Sequence, residues 1–341
     1  MTLKCIRAAL RALLLPMLVA ASVSVQAGPF SGIYVFGDSL SDTGNLSLVT
    51  AGTQNPQPNP TQPYDGGRFS DGALWVEGLA WGLGLGGQAS PYLLGGNNYA
   101  YAGARTGTAL TPPGVLAQVA GIWGQAVGVA DPDALYVVVG GGNDMRDARL
   151  AFQGDTAADT LGRDSAAAVA IAGLSQAIQY LAASGARHVL IANLPDLGNT
   201  PEAALLGLKA ASTAASGSFN SLVPNLFGLE AFFPGLNIEL LDMAGIANHV
   251  LLNAEDFGVT NTDRPCGSFF FSLGADCANS LFSDVLHPSA LVHGLFAQAA
   301  LGIYGVPLPG TLALLMLALL ALVVVQRGRG RGVQASGTVS C

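Results

Sequence analysis

The sequence has few charged residues, and basic ones are the scarcer kind. Charged side chains make up 11% of the 341 residues, and 14 Lys and Arg stand against 22 Asp and Glu, for a formal net charge of -8. A surface of that sign repels a phosphate backbone, which excludes nucleic acid as an expected partner. Half of the residues are apolar, so the chain is able to bury a large core and does not have the composition of a disordered protein.

Cysteines are scarce as well. Of the four, two lie in the terminal segments, and Cys266 and Cys277 remain in the body of the chain. No group of His and Cys has the spacing of metal ligands, so neither a metal nor an organic cofactor is expected. A local disulfide between Cys266 and Cys277 is the favoured interpretation for an exported chain, and two buried free thiols are the alternative.

Residues 1–27 have the pattern of a secretory signal peptide. Three basic residues precede the apolar stretch 12–25, and small residues stand at the positions that a signal peptidase reads before Gly28. An N-terminal membrane anchor is the alternative, but Pro16 interrupts a run that is already shorter than the ~20 residues of a spanning helix. The expectation is export, with a mature chain that begins near Gly28.

The composition changes abruptly at residue 306. Residues 311–325 are uncharged and nearly all apolar, with a Pro-Gly entry before them and three arginines after them. This pattern predicts a membrane helix with its basic end inside, and a buried core helix is the alternative. Residues 306–331 also resemble the PEP-CTERM sorting signal, although Leu308 stands where that signal usually has Glu. The resemblance implies a sorting protease of the exosortase type as a partner, a short tail at 332–341, and a location at the cell envelope, its outer surface or outside the cell.

Residues 28–305 predict one large domain of the α/β class. Apolar runs rich in β-branched residues alternate with longer helical stretches, which is typical of a parallel sheet covered by helices on both faces. The predicted strands are residues 32–36, 98–102, 135–139, 188–192 and 238–241, and the predicted helices are residues 74–82, 115–128, 159–183, 201–227, 247–255 and 288–304. In such sheets ligands bind at the carboxyl ends of the strands. The Pro-rich stretch 55–63 predicts a loop that borders this site or is inert surface.

A serine stands at the end of the first predicted strand, in Gly37-Asp38-Ser39-Leu40. A turn at Gly37 would lift the Ser39 hydroxyl into the crevice and aim nearby backbone N–H groups at the group that it attacks. An ordinary polar turn, in which Ser and Asp cap a helix, is the alternative, and local features alone favour it. A nucleophilic role for Ser39 therefore depends on a base elsewhere in the chain.

Of the four histidines, His287 alone has a well-placed carboxylate nearby, in Asp284-Val285-Leu286-His287-Pro288. The spacing lets Asp284 accept the N–H of one ring nitrogen and leaves the other free to take a proton from Ser39. Pro288 favours an extended backbone at His287 and a helix start after it, so the ring is expected at a loop-to-helix junction. The other histidines are interpreted as structural or unpartnered: His188, His249 and His293.

Two further strand ends carry candidate donors to an oxyanion. Three glycines after the third predicted strand allow close backbone approach, and the Asn143 amide that follows them is able to donate to a developing oxyanion, an interaction worth roughly 3 kcal/mol in comparable sites. A phosphate-binding loop is the alternative, but no Lys follows and Asp144 would repel the anion. After the second predicted strand, the Gly103 N–H is another candidate donor.

Taken together, these blocks resemble the GDSL or SGNH hydrolase family. Gly-Asp-Ser-Leu, Gly-Asn-Asp and Asp-x-x-His-Pro occur in the family's order and span residues 36–287. Further similarity lies in Gly-Arg-Phe-Ser-Asp-Gly at 67–72 and Leu-Pro-Asp-Leu-Gly at 194–198. Ser283 stands where many relatives carry Trp, and Ala102 where many carry Gly, differences that are expected to affect the shape of the pocket and not the chemistry.

The resemblance implies a three-layer α/β/α sandwich of the SGNH, flavodoxin-like type with a parallel five-stranded sheet. It implies Ser39 as nucleophile, Asp284 and His287 as the rest of the triad, and an oxyanion hole formed by the N–H groups of Ser39 and Gly103 and the side chain of Asn143. The expected function is an exported serine ester hydrolase, a lipase or esterase that acts through an acyl-enzyme on lipid esters or small acyl esters. Acetylated surface polysaccharide is an alternative substrate, and a non-catalytic surface adhesin that retains the fold is the alternative from a different class.

Overall fold

A parallel sheet of four regular strands lies at the centre of the structure, a computed structural model that describes residues 28–59, 64–267 and 275–306. The strands are β1 (Ile33–Phe36), β2 (Leu135–Val138), β3 (His188–Ala192) and β4 (Asn237–Leu241), paired in that order. β2 is buried along its whole length, as expected for a strand that is covered on both faces. The predicted signal peptide (1–27), nearly all of the predicted sorting segment (306–331) and the predicted tail (332–341) lie outside the described residues.

The segment that was predicted as the second strand lies beside β1 but is not a regular strand. Tyr99 donates its N–H to the Val35 carbonyl and Tyr101 donates to Gly37, yet only Asn98 forms a bridge pair with β1. The N–H groups of Tyr99 and Tyr101 are paired with β1, and the Ala100 N–H between them is accepted by the Asn98 side chain, a local contact of the kind that favours turns over regular strands. The prediction of a regular strand at 98–102 is therefore wrong, although the segment occupies the fifth position of the sheet.

Helices cover both faces of the sheet. The described α-helices are α1 (Asn45–Thr50), α2 (Trp75–Gly82), α3 (Gly142–Ala151), α4 (Ala157–Ala183), α5 (Pro201–Leu205), α6 (Lys209–Leu222), α7 (Met243–Leu252) and α8 (Ala290–Ile303). One buried cluster joins α3, α4 and α6 to residues such as Tyr136 and Ile191, and the other joins α2, α7 and α8 to residues such as Ile33 and Val137. Because successive strand residues face opposite layers, the two clusters lie on opposite sides of the sheet. The predicted three-layer α/β/α architecture is confirmed.

Several helix boundaries differ from the prediction. The predicted helix 201–227 is wrong as a single element, because Gly207 adopts φ +69° after α5 and 3₁₀ turns at Val223–Ala231 follow α6. Residues Ala117–Trp123 form a π-helix that continues into one α-helical turn at Gly124–Ala126. Elements that were not predicted are α1, α3 and a small parallel pair, β5 (Asn261–Pro265) and β6 (Ser280–Phe282). α3 matters for the site, since Asn143 lies in its first turn.

α4 has 27 residues and, within the described ranges, is the one helix that is long and apolar enough to cross a membrane. Its apolar face includes Ala167, Leu174 and Ile178, which are buried in the core cluster against the sheet. This packing is that of a core helix.

Candidate active site

Ser39 lies in the turn that follows β1. The residue before the turn, Gly37, is held by the buried Gln118 side chain, which accepts the Gly37 N–H and donates to its carbonyl, both at 2.8 Å. A Cβ at Gly37 would lie 2.8 Å from a methyl carbon of Val139, which is too close for any other residue. The Asp38 carbonyl accepts the N–H groups three and four residues further on. Ser39 is thus placed at the tip of a tight turn, and its own N–H has no acceptor in the described part of the chain.

The structure brings the three predicted triad residues together. His287 Nε2 lies 2.8 Å from Ser39 Oγ, although the two residues are 248 positions apart in sequence. His287 Nδ1 lies 2.5 Å from Asp284 Oδ2. The other carboxylate oxygen, Oδ1, accepts the backbone N–H groups of Leu286 and His287 at 2.7 and 2.6 Å. The three side chains are buried, and they form a continuous path for a proton from hydroxyl to imidazole with a carboxylate behind it.

Two buried carboxyl groups at this site have opposite pKa shifts. Burial raises the pKa of Asp284, but the charge of His287 and hydrogen bonds from His287 and Tyr64 outweigh burial and lower it to about 2. Burial raises the pKa of Asp38 to about 6, because the N–H of Leu40 and the charge of His287 compensate only in part. Asp284 is therefore held as a carboxylate beside the imidazole.

Tyr64 is a site residue that was not predicted. Its hydroxyl donates to Asp284 Oδ2 at 2.5 Å, the same oxygen that lies against the His287 ring. Phe69 connects the two rings, since its centroid is 5.5 Å from that of Tyr64 and 5.0 Å from that of His287. The sequence signal was the position of Tyr64 directly after the predicted loop 55–63, whose residues 60–63 lie outside the described ranges.

Ser283 fixes the base of the loop that carries Asp284 and His287. Its buried hydroxyl accepts the Asp71 N–H at 3.1 Å and lies 2.7 Å from Asp71 Oδ1 and 3.0 Å from the Pro288 carbonyl. The Ser283 N–H donates to the His287 carbonyl at 2.9 Å. Where many relatives carry Trp, this chain therefore has a hydroxyl group that links the loop to the segment before α2.

Cys266 and Cys277 form a disulfide in the structure. Cys266 also donates its N–H to the carbonyl of Phe282, the last residue of β6. The disulfide thus lies beside the strand that leads into the Asp284–His287 loop. A carboxylate oxygen of Asp71 lies near the two sulfurs, within 4.8 Å, but sulfurs bonded to each other are not thiolate ligands for a metal.

Asn143 is placed at the crevice by the start of α3. Gly141 adopts φ +110° before the helix, and a Cβ there would lie 2.3 Å from the Phe219 ring, so a glycine is required. Asn143 Nδ2 donates to the Ala104 carbonyl at 2.9 Å, which uses one of its two N–H bonds. Asn143 and Ser39 line the same pocket. The other N–H of the amide is therefore available to a bound oxyanion.

Gly103 directly precedes Ala104, the residue that binds the Asn143 amide. It adopts φ +80°, and the segment before it is fixed because Asp42 Oδ2 accepts the Ala102 N–H at 2.8 Å. The Gly103 N–H forms no hydrogen bond to any described residue. The three predicted oxyanion donors thus lie on two adjoining turns and the start of α3, and the N–H groups of Ser39 and Gly103 have no partner among the described residues.

A mostly apolar pocket opens beside Ser39, Asn143 and His287. Its walls come from the loop after β3, from α7, from the segment 281–288 and from α8. Apolar residues of these walls include Leu194, Leu197, Leu251, Phe282, Leu286 and Val292. Besides His287, the ionisable residues that line the pocket are Asp38, Arg146 and Asp196.

The remaining histidines lie outside the triad. His293 is fully buried, its Nδ1 accepts the Trp75 N–H at 3.3 Å, and burial lowers its pKa to about 3. His188 packs against Phe30 at 5.3 Å between ring centroids. The structural interpretation of these two residues is confirmed. His249 Nδ1 lies 3.2 Å from the side-chain nitrogen of Asn253 on the surface.

A parallel α/β/α sandwich with Ser, His and Asp in hydrogen-bond contact at its strand ends defines a serine hydrolase by class. The chain belongs to the GDSL-like lipase/acylhydrolase family, whose model matches residues 33–300. The family resemblance of the sequence motifs is thereby confirmed.

Three relatives are similar to most of this chain. Esterase EstA of Pseudomonas aeruginosa is 30% identical, over 89% of this chain and 51% of the relative. Phosphatidylcholine-sterol acyltransferase of Aeromonas hydrophila is 29% identical, over 79% of this chain and 78% of the relative. An uncharacterized protein of Pseudomonas putida from the trpE-trpG intergenic region is 30% identical, over 82% of this chain and 49% of the relative. The chain thus spans about half the length of two of these three relatives.

Among solved structures, the extracellular lipase from Streptomyces rimosus is 18% identical, with a TM-score of 0.40 over 79% of this chain and all of that one.

Proposed function

We propose that this chain is an exported serine ester hydrolase that cleaves esters with an apolar acyl group. The observation that carries the proposal is the contact of Ser39 Oγ with His287 Nε2 at 2.8 Å, with Asp284 behind the ring. A hydroxyl with a base on one side and unpaired N–H donors on the other has what acyl transfer requires. A non-catalytic adhesin would have no need of this arrangement.

The reaction proceeds in two steps, acylation of Ser39 and hydrolysis of the acyl-enzyme. His287 takes the Ser39 proton as the oxygen attacks the ester carbonyl, and the tetrahedral oxyanion accepts hydrogen bonds from Asn143 and from the N–H groups of Ser39 and Gly103. The C–O bond to the alcohol breaks, and His287 returns its proton to the leaving alkoxide. Water then attacks the acyl-enzyme with His287 again as base, which releases the acid and restores the serine. No step requires a metal or an organic cofactor.

The pocket supports an acyl ester of a lipid or another small apolar acyl ester as substrate. More than half of the residues in its walls are apolar, and leucine is the commonest of them; such walls gain free energy by removing a hydrocarbon chain from water. The hydroxyl groups of a sugar would lose hydrogen bonds to water against such walls. Acetylated polysaccharide is therefore the less favoured substrate.

Substitution of the nucleophile tests the reaction. Ser39→Ala should abolish turnover of a chromogenic short-chain ester and labelling by a fluorophosphonate probe, with the thermal unfolding temperature unchanged. Turnover by Ser39→Ala equal to that of the wild type would refute the assignment.

A panel of acyl esters from acetyl to palmitoyl, together with acetylated glycans, tests the substrate. A preference for acetylated glycans over all acyl esters would contradict the apolar acyl group.

Export to the cell envelope is part of the proposal. The signal-peptide pattern of residues 1–27 and the membrane pattern of residues 306–331 support it, and so does the disulfide, which is typical of oxidising compartments. The C-terminal segment would hold the chain at the membrane until an exosortase-type protease removes it. Mass spectrometry of the mature protein should find an N-terminus near Gly28 and should find neither the apolar stretch 311–325 nor the residues after it. An intact chain in the cytoplasm would contradict export.

A further inference from the structure

Arg146 has no part in the proton relay, yet it contacts the proposed oxyanion donor. It lies one helical turn after Asn143 in α3, and its Nη1 donates to Asn143 Oδ1 at 3.3 Å. On the other side of the amide, Nδ2 donates to the Ala104 carbonyl at 2.9 Å. Both ends of the Asn143 amide therefore have a partner of the correct polarity.

The Arg146 guanidinium is itself held in place. Glu202 accepts from Arg146 Nη2 at 2.5 Å and from Nε at 3.1 Å, a two-point contact that fixes the plane of the guanidinium. The same carboxylate accepts from Arg149, which is 1% exposed and also donates to Ser212 Oγ at 3.0 Å. Although burial alone raises the pKa of Glu202, its hydrogen bond and charge interaction with Arg146 and the charge of Arg149 lower it. Glu202 is therefore held as a carboxylate between two cations.

Glu202 also contacts the other half of the site. Its backbone N–H, at the start of α5, donates to the Val285 carbonyl at 2.7 Å. Val285 lies between Asp284 and His287 in sequence. One residue thus links the guanidinium that contacts Asn143 to the loop that carries the general base.

We propose that Arg146, held by Glu202, is a positioning residue that keeps Nδ2 of the Asn143 amide directed at the oxyanion. This inference rests on the proposed ester hydrolysis. An amide rotated by half a turn would place Oδ1 against the Ala104 carbonyl and the NH₂ group against a cation, and both contacts repel. The cation at Oδ1 also draws electron density from the amide and makes its N–H groups stronger donors. Arg146 therefore acts on the transition state through Asn143.

A double-mutant cycle tests this coupling. Arg146→Met should lower kcat about tenfold with KM changed less than about twofold, because the oxyanion contact strengthens in the transition state. In an Asn143→Ala background the same substitution should cost less than about twofold, since no amide remains to be oriented. Arg146→Lys, which keeps the charge but not the two-point contact, should lie between the wild type and Arg146→Met.

Arg105→Met is the matched control. Arg105 is about half exposed and forms an ion pair at 2.5 Å with Asp147, which lies in α3 like Asn143 and Arg146. Arg105→Met therefore removes the same charge as Arg146→Met but no contact to Asn143. Its kcat should equal that of the wild type. Thermal unfolding of every variant is measured alongside, and Glu202→Gln replaces Arg146→Met in the cycle if the latter does not fold.

The outcomes separate this inference from the proposed function. A wild-type protein that neither turns over esters nor reacts with a fluorophosphonate probe refutes both. An active wild type in which the Arg146 and Asn143 effects multiply refutes the positioning role alone. A rise in KM with kcat unchanged also refutes it, because Arg146 would then bind substrate. Loss of the Arg146 effect in the Asn143→Ala background supports it.

Discussion

The two halves of the active site are held in place by different parts of the molecule. Ser39 and Asn143 lie in turns that follow β1 and β2, and these turns are set by glycines, by backbone hydrogen bonds and, at Gly37, by the buried Gln118 side chain. Asp284 and His287 lie beyond the four-stranded sheet, on a loop between β6 and α8. Besides two backbone hydrogen bonds, that loop depends on the Ser283 hydroxyl and on the neighbouring disulfide.

This difference separates stability from catalysis. A turn that is held by the sheet keeps its geometry as long as the core is folded, because a packed core does not deform continuously. A loop that is held by a few side chains shifts when one of them is lost, and a displacement near 1 Å is enough to cost about 100-fold in rate. Substitutions outside the triad are therefore expected to act on His287 more readily than on Ser39.

Loss of the general base should have the largest effect. His287→Ala is expected to lower kcat about 10,000-fold, because among the described residues no other base forms a hydrogen bond with Ser39 Oγ. His249→Ala is the control, since His249 contacts Asn253 at the end of α7 and the ring of Phe257, away from the triad. Steady-state turnover of a chromogenic ester measures both variants. A loss below tenfold in His287→Ala would show that the contact in the structure is not the one used in the reaction.

Loss of the oxyanion donor Asn143, which follows β2, should cause the second-largest loss of kcat. Asn143→Ala is expected to lower kcat about 100-fold or more with KM nearly unchanged, because the hydrogen bond to the oxyanion exists only in the transition state. The variant should still react with Ser39-directed probes, since the relay to His287 does not include Asn143. A raised KM with unchanged kcat would instead assign Asn143 to substrate binding.

The two buried carboxyl groups should give opposite dependences of stability on pH. Asp284, with its pKa lowered from 3.8 to about 2, stabilises the fold above pH 3.8, and that stabilisation is lost as the pH falls towards 2. Asp38, with its pKa raised from 3.8 to about 6, destabilises the fold as the pH rises from 3.8 to 6 and has a constant effect above that. Each contribution amounts to roughly 2–3 kcal/mol of unfolding free energy.

Urea unfolding between pH 2 and 8 measures these contributions as differences from Asp284→Asn and Asp38→Asn. The Asp38→Asn variant should become more stable than the wild type between pH 4 and 6 and keep that advantage at pH 8. As the pH rises from 2 to 4, the Asp284→Asn variant should become less stable than the wild type. A difference of the same sign for both substitutions would contradict the assigned shifts.

The sequence predicted the parts of this site that follow the sheet. Gly37, Ser39 and Asn143 were located because each follows an apolar run that forms a strand, and His287 because its carboxylate is three residues away. The rule that parallel strands present their carboxyl ends at one edge brings Ser39 and Asn143 together, whereas the contact of His287 with Ser39 was implied by the family resemblance. The catalytic roles of these residues remain predictions that the experiments above test.

Other features could not be predicted because they depend on distant contacts or on competing local hydrogen bonds. Tyr64 and Ser283 act across 220 and 212 positions of sequence, respectively, and the local sequence does not show which distant residue each of them contacts. Residues 98–102 have the sequence of a strand, but the Asn98 side chain accepts the Ala100 N–H in a local contact. α3 was missed because it begins at the last of three glycines and contains many polar residues.

Ser283→Ala should have the smallest effect on kcat, and it distinguishes the two halves of the active site most directly. Ser283→Ala removes a buried hydroxyl that contacts the Asp71 N–H and carboxylate and the Pro288 carbonyl. Asp71 Oδ1 keeps the Ala290 N–H, but loss of the contacts to the Asp71 N–H and the Pro288 carbonyl should cost about 1–3 kcal/mol of stability. Because Ser283 also precedes Asp284, kcat should fall about threefold to tenfold as His287 moves from its position against Ser39.

Ser280→Ala, at the start of β6 and three residues before Ser283, is the matched control. Ser280 is equally buried, donates to the Asp276 carbonyl at 2.8 Å and accepts from Asn261 Nδ2 at 2.9 Å, but has no hydrogen bond to the Asp284–His287 loop. Both variants should unfold at a similarly lower temperature, and only Ser283→Ala should lose kcat at 25 °C. Equal activity losses would mean that activity follows stability throughout, and the two halves of the site would then not differ in how they are held.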